Sequence, residues 1–176
     1  MRRLLLIYGI LLLCVGFIFA GTTPRKIYSP VSLDIVADFI KDLGYTYDRV
    51  NTENITGKVS ERLAMDIHGE NGTYTVGIEF LQDVQILYIY VEDYLDLPLE
   101  NLGTVPMLTF LMNQNWNLTF GRLEWNITSG EVRLSHTLPV DDGISAEVFG
   151  AYLSSIVSTA DAKYPEYMIT LENFSE

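Results

Sequence analysis

Arg2 and Arg3 precede an uncharged apolar run from Leu4 to Ala20. A short basic stretch ahead of such a run is the pattern of a secretory signal peptide or of a retained signal anchor. The run is short for a bilayer span. Ala20-Gly21-Thr22 offers small residues for cleavage, although Ile18 and Phe19 are bulky just before it. Residues 1–21 are therefore assigned to a signal peptide or signal anchor, with a buried core helix as the bland alternative. The basic flank holds the N-terminus inside and directs the rest outward.

Residues 22–29 lack periodicity and read as a linker. From residue 30 the pattern changes. Ile35, Val36, Phe39, Ile40 and Leu43 recur at helical spacing, with Ser32 placed to cap the start and Gly44 to end the helix. Three strand patterns follow. Leu63, Met65 and Ile67 alternate within 59–69; Tyr74, Val76, Ile78 and Phe80 alternate within 73–81; and 84–91, VQILYIYV, is apolar almost throughout. Glu70-Asn71-Gly72 is a hairpin signal, and Gln82-Asp83 makes a tight link. The acidic stretch from Glu92 to Pro98 reads as a break.

A second helix is expected from near Thr104, which would put Pro106 in its first turn, where proline is tolerated. Its apolar stripe is Leu102, Val105, Leu108, Leu111 and Met112. Two strands, 118–126 and 131–138, then flank the Thr128-Ser129-Gly130 turn. A closing helix is expected from Ser145 to about Lys163, with Val148, Phe149, Tyr152, Leu153, Ile156 and Ala160 inward. The expected fold class is α+β: helix, three-strand meander, helix, two-strand hairpin, helix. Short hairpins favour antiparallel pairing, giving an antiparallel five-stranded sheet packed with helices. The domain boundaries are 30–165 for this unit and 166–176 for a C-terminal tail.

Composition narrows the function. The formal net charge is -12, which excludes a nucleic-acid binder, since that needs a basic face to replace counterions. The single cysteine, Cys14, lies in the apolar run and supports neither a disulfide framework nor a multi-cysteine zinc site. Lipidation at Cys14 is disfavoured, because Leu12 and Leu13 stand where small residues are expected. Five Asn-X-Ser/Thr sequons begin at Asn54, Asn71, Asn117, Asn126 and Asn173. In an exported chain these are candidate glycosylation sites and would favour a eukaryotic or archaeal source. The alternative is that Asn and Thr simply recur in turns and strands.

Candidate chemistry is sparse. Asp141-Asp142 before Gly143 has the composition of a cation or acid–base pair, but equally that of a turn leading into a helix. Glu92, Asp93 and Asp96 lack the ligand spacing of a calcium loop. His68 and His136 each stand alone on a strand, and Ser135 beside His136 points to the opposite face. No catalytic, cofactor-binding or metal-ligating residue is assigned, and no cofactor is expected. Strand 84–91 is apolar on both faces, so its second face needs a cover, either a helix of the same chain or a second subunit. The candidate interaction surface comprises Leu87, Tyr88, Tyr90, Trp116 and Trp125.

The stretch NQNWNLTFGRLEWN, followed by GEVRLSHTLPVDDGISAEVFGAYLSSIVSTADAKYP, resembles the YbjN family of bacterial and archaeal domains. That family shares a fold with type III secretion chaperones. The features that carry the resemblance are Asn113 and Asn115, Gly121, the turn from Leu138 to Gly143, and the helix from Val148 to Ala160. The resemblance implies regulators or chaperones that bind protein partners, and it brings no catalytic site. The export signal departs from the commoner cytoplasmic members. The expected function is a non-enzymatic, exported or membrane-tethered interaction module with an unknown protein partner. A homodimer is one form of it, and the membrane is touched only through residues 1–21. The alternative is an extracytoplasmic small-ligand-binding or sensory domain. A deep polar pocket would favour the second reading and an exposed apolar patch the first.

Overall fold

The computed structural model describes residues 25–53 and 59–175. The expected signal segment 1–21, the start of the linker and the sequon at Asn54 lie outside them. The fold is α+β, built in chain order as α1 (Leu33–Asp42), β1 (Asp48–Glu53), β2 (Val59–His68), β3 (Thr73–Leu81), β4 (Ile86–Asp96), α2 (Thr104–Asn117), β5 (Arg122–Trp125), β6 (Glu131–Pro139) and α3 (Ala146–Ser175). The sheet has six antiparallel strands in the order β1-β2-β3-β4-β6-β5, not the expected five. The additional strand is β1, DRVNTE, paired with β2 from Asp48↔Ala64 to Glu53↔Val59. It is an edge strand with a single apolar residue, so it carries no alternation to detect. Backbone pairing alone places it.

Local chemistry explains most boundaries. Ser32 caps α1 by accepting the Ile35 N–H at 3.4 Å, and Gly44 leaves the helix at a positive φ of 85°. α1 buries Val36, Ala37, Phe39 and Ile40. β4 runs further than expected. A bulge between Val91 and Leu95, with Asp93 at φ 44°, lets the acidic segment rejoin the sheet. Tyr94, Leu95 and Leu97 are thereby buried, and the Tyr94 hydroxyl donates to the Ala160 carbonyl at 2.7 Å. The strand expected over 118–126 shrinks to Arg122–Trp125, because Gly121 turns the chain at φ 81°.

α2 starts at Thr104, with Pro106 in its first turn as expected. It is rotated from the expected stripe. Thr104, Met107, Leu111 and Gln114 are buried, whereas Leu102, Val105 and Met112 face outward. α3 is 30 residues long and continues through Pro165 to Ser175. Residues 166–176, expected as a tail, therefore form helix as far as Ser175, and Tyr167 is buried against Tyr94 and Phe110. The expected linker is partly built into the fold as well. Tyr28 exchanges backbone hydrogen bonds with Ile144 and packs edge-on to Phe39.

The three helices among the described residues lie on one face of the sheet. α3 crosses β4 and β6, with α1 over β2 and α2 over β5. Leu63, Ile78, Leu87, Ile89 and Leu134 meet Phe39, Phe149 and Ile156 in a common core. Each such side chain contributes about 1.5–3 kcal/mol relative to exposure.

Candidate interaction surfaces

The structure divides the five residues of the expected surface. Successive residues of β4 alternate across the sheet. Leu87 is fully buried on the helix side, so it belongs to the core and not to a surface. Tyr88 and Tyr90 point to the opposite face, which no helix covers among the described residues. Trp116 lies on the outer side of α2 and is 89% exposed. Trp125 is half-buried at the end of β5 and donates its indole N–H to the Leu97 carbonyl at 3.1 Å.

The open sheet face is covered by its own side chains. Gly77 is opposite Tyr90, and a Cβ at Gly77 would sit 2.6 Å from the Tyr90 ring. The glycine thus gives the tyrosine room to lie flat on the sheet. Tyr88 packs on Tyr90 with ring centroids 4.8 Å apart. The Arg133 guanidinium stands 4.6 Å from the Tyr90 ring centre and pairs with Glu131 through bonds of 2.6 and 2.9 Å. Arg62 pairs with Glu92 and also donates to the Tyr90 hydroxyl at 3.1 Å, while that hydroxyl donates to Glu79 at 2.7 Å. Tyr88 donates to Glu124, which Arg122 holds at 2.6 Å. Burial, then the bond to Glu124, pushes the Tyr88 hydroxyl up to about 12. Burial opposes ionisation of Glu131, but Arg133 outweighs it and holds that carboxyl below its usual value. Neither a helix nor a second subunit is therefore needed as a cover: aromatic rings and ion pairs perform that task.

The outer face of α2 is different. Its sequence, TVPMLTFLMNQNWN, has no charged residue. Val105 is 63% and Met112 is 74% exposed, and together with Trp116 and the half-buried Leu108 they form an apolar stripe along the helix. Beside it, a hollow of about 300 Å³ is lined mainly by Leu108, Leu111, Met112, Leu123, Trp125 and Val132, with Asn115 and Glu124 also on its wall. Asn115 ties the helix to the edge strand by accepting the Leu123 N–H at 2.7 Å and donating to the Leu123 carbonyl at 3.0 Å. Trp116 and Trp125 thus flank one continuous apolar region. The sequence marks both tryptophans as candidates for a surface shared with β4, but shows neither their meeting at α2 and β5 nor the outward turn of Val105 and Met112. The missed signal is the width of the stripe: α2 has more apolar positions than one core contact can use.

A third feature is a cleft of about 700 Å³ between α3, the end of α1 and the β2–β3 hairpin, lined in part by Tyr45, His68, Ser154, Ser158 and Asp161. The Asp161 carboxylate accepts the backbone N–H groups of Asn71 at 2.8 Å and Glu70 at 3.0 Å, and the Tyr74 hydroxyl at 3.0 Å. These bonds, led by the Asn71 N–H, hold the carboxyl below its usual value. Asp161 therefore serves as a latch on the hairpin, with its acceptor capacity already used.

The remaining candidates have local roles. Asp141 and Asp142 are exposed in the turn before α3. Glu92 is committed to Arg62. His68 shares a 2.8 Å hydrogen bond with Thr73. His136 stacks on Phe120 at 4.0 Å and lies 5.1 Å from Tyr152. Burial, then the charge of Arg122, lowers its pKa. Among the described residues, no group of three His, Cys, Asp or Glu could hold a metal ion. The sequon residues Asn71, Asn117, Asn126 and Asn173 are exposed. The Asn71 side-chain amide already donates to the Asp161 carbonyl at 3.0 Å, so a glycan there would displace a hairpin contact. The Asn126 side chain accepts the Thr128 N–H at 2.9 Å in an exposed turn.

No curated protein matches the chain. Among solved structures, a chain of the HopA1–SchA chaperone–effector complex is similar, with 13% identity, a TM-score of 0.42, and coverage of 74% of this chain and 95% of that one. The YbjN family model, described as "Putative bacterial sensory transduction regulator", matches residues 32–167. That span runs from the cap of α1 to the buried Tyr167, and so takes in the whole sheet, α1, α2 and α3 as far as Tyr167. The chain belongs to the YbjN family.

Proposed function

We propose that the chain is a non-catalytic protein-interaction module, exported behind residues 1–21, whose contact surface is the α2–β5 face. The observation that carries this reading is the uncharged stripe of Val105, Met112 and Trp116, continuous with the hollow beneath Trp125. Such a patch on a chain of net charge -12 resists burial against charged partners and favours an apolar protein surface. The family description, a regulator of sensory transduction, is compatible with a module that works by contact and equally with a sensory domain. The export half of the reading draws on Arg2, Arg3 and the uncharged run behind them.

A sensory domain that binds a small ligand is the second reading, and the 700 Å³ cleft beside Asp161 favours it. The cleft is open to solvent, and of the two carboxylates that line it, that of Asp161 is occupied by the hairpin. The interaction reading therefore leads.

Two measurements test it. A reporter fused after Glu176 should be active only outside the cytoplasm; cytoplasmic activity would remove the export half. Envelope proteins captured on the wild-type chain should be lost with Met112→Glu and retained with Thr137→Glu on the sheet face. Equal capture by Met112→Glu would remove the α2–β5 surface from the reading.

A further inference from the structure

We infer that the exported chain carries an N-linked glycan at Asn126, and that this sequon is modified ahead of those at Asn71, Asn117 and Asn173. Such modification rests on the export half of the proposed function, since the donor sugar is met outside the cytoplasm.

An Asn-X-Thr acceptor needs an amide nitrogen free to react, a threonine hydroxyl free for the transferase, and room for the sugar in the folded chain. Asn126 meets all three conditions. Its side-chain oxygen accepts the Thr128 N–H at 2.9 Å, which is an Asx turn. That bond uses the oxygen and leaves Nδ2 without a hydrogen bond among the described residues. The Thr128 hydroxyl is equally free among them, and Asn126, Ile127 and Thr128 are all exposed. Main-chain bonds hold the turn instead. The Asn126 N–H donates to the Glu131 carbonyl and the Gly130 N–H to the Asn126 carbonyl, each at 2.8 Å. A substituent on Nδ2 therefore costs the fold no hydrogen bond.

The other sequons among the described residues are committed. The Asn71 Nδ2 donates to the Asp161 carbonyl at 3.0 Å and reaches its carboxylate at 3.5 Å, and the Thr73 hydroxyl is hydrogen-bonded to His68 at 2.8 Å. A sugar there would stand where the hairpin meets α3. The Asn117 Nδ2 donates to the Asn113 carbonyl at 3.2 Å, and a sugar on it would lie beside Trp116 and screen the α2 stripe. Asn173 lies in the last turn of α3. There the N–H two residues on belongs to a helical bond, so no Asx turn forms.

The surroundings of Asn126 suit a sugar. Asn126 borders a hollow of about 380 Å³ on the open sheet face, shared with Tyr88, Glu131 and Arg133. Beside it Ile127 is 59% exposed. The apolar face of the first sugar ring covers Ile127, and its hydroxyls find donors and acceptors in Arg133 and Glu131. A glycan so placed leaves the α2 stripe open. In the transfer itself, Asn126 Nδ2 attacks C1 of an oligosaccharide carried on a lipid phosphate. The Nδ2–C1 bond forms, the C1–O bond breaks with its electron pair going to the departing lipid phosphate, and one amide proton passes to a base of the transferase.

Tryptic mass mapping of the full chain, purified from the envelope of its own organism, tests the proposal. Cleavage after Arg122 and Arg133 isolates residues 123–133, LEWNITSGEVR, with Asn126 as the sole asparagine. Asn71 and Asn117 fall together in residues 63–122, where fragmentation locates any sugar, and Asn173 falls in 164–176. The 123–133 peptide should carry a glycan mass, at higher occupancy than any of the other three sequons. Asn126→Gln and Thr128→Ala should each lose that mass, and Thr128→Ser should keep it. An unmodified 123–133 peptide in a chain recovered outside the cytoplasm overturns the proposal and leaves export standing. Equal or higher occupancy at Asn71, Asn117 or Asn173 overturns the ranking, and a mass that survives Thr128→Ala overturns the sequon as its cause. A chain recovered only from the cytoplasm overturns export and the glycan together.

Discussion

The open sheet face and the outer face of α2 both begin as apolar patterns without an evident partner, yet they end in opposite states. On the sheet, Tyr88 and Tyr90 lie flat and their hydroxyls donate to Glu124 and Glu79. Arg62 and Arg133 close over them. The aromatic area is covered by groups whose own charges are paired. On α2, Val105, Met112 and Trp116 have no such cover among the described residues. Alternation is the reason. A strand sends every second residue to each face, so neighbouring strands can place Arg and Glu beside an exposed tyrosine. A helix can recruit such cover only from its own turns and adjacent elements, and α2 has no charge of its own. An aromatic strand face therefore does not by itself signal a partner, whereas an uncharged, over-wide helix stripe does.

The largest effect expected from breaking this comparison comes from exchanging its two sides within β4. Leu87 faces the core and Tyr88 the open face. Leu87→Asp would bury an unpaired carboxylate among Ile78, Ile89 and Leu138, and such substitutions cost more than about 4 kcal/mol. The chain should fail to fold, with loss of the cooperative melting transition. Tyr88→Asp should retain that transition, because the new carboxylate stays on the wet side beside Arg133. If the two variants melt alike, the division of β4 into a core face and a covered face is wrong.

A smaller loss should follow from disturbing the cover of the sheet. Gly77→Ala puts a methyl group 2.6 Å from the Tyr90 ring and 2.7 Å from the Glu92 carboxylate. The ring must lift, which loosens Arg133 above it and the Arg62–Glu92 pair beside it. We expect a cost of about 1–3 kcal/mol in urea unfolding, typical of overpacking. The double variant Gly77→Ala, Tyr90→Ala should cost less than the sum of the two single changes, because the clash disappears with the ring. Strict additivity would show that the two residues do not act together.

Much of the fold was legible in the sequence, and its illegible parts share a cause. Three helices, the two hairpins and the capping residues Ser32 and Gly44 follow from periodicity and turn chemistry, both local. β1 was invisible because an edge strand held by main-chain bonds needs no apolar alternation. The return of β4 beyond the acidic Glu92-Asp93 depends on a bulge and on pairing with β6, neither of which is local. The rotation of α2 is the instructive miss. Periodicity identifies an apolar stripe, but α2 has two adjoining stripes, and only tertiary packing decides that Met107 and Leu111 go in while Val105 and Met112 stay out. Of the expected surface, Trp116 and Trp125 lie together at α2 and β5, Tyr88 and Tyr90 belong to the self-covered sheet, and Leu87 is core.

The smallest expected effect separates the two faces by their response to acid. His136 lies in the helix-side layer, stacked on Phe120 in the segment that leads from α2 into β5, and against Tyr152 of α3. Burial, then Arg122, lowers its pKa from 6.5. A histidine with a depressed folded pKa contributes no penalty above the unfolded value. Below about 6.5 the unfolded chain takes up the proton first, and stability falls as pH drops through the folded pKa. The pairs on the sheet face respond at lower pH. Glu131, held down by Arg133, keeps its charge below the ordinary carboxylate range and loses its contribution only as pH falls through that depressed value. Acid should therefore loosen the seam between α2 and β5 before it touches Arg133 and Glu131. Hydrogen exchange at pH 7 and pH 5, expressed relative to the intrinsic amide rate at each pH, should be faster at Arg122 and Leu123 at the lower pH, with little change at Tyr90 and Gly77. His136→Phe keeps a ring in the stack and removes the titrating proton, so it should abolish the difference around β5. An equal rise on both faces, or a difference that survives His136→Phe, would mean that His136 is not the acid-sensitive element of that seam.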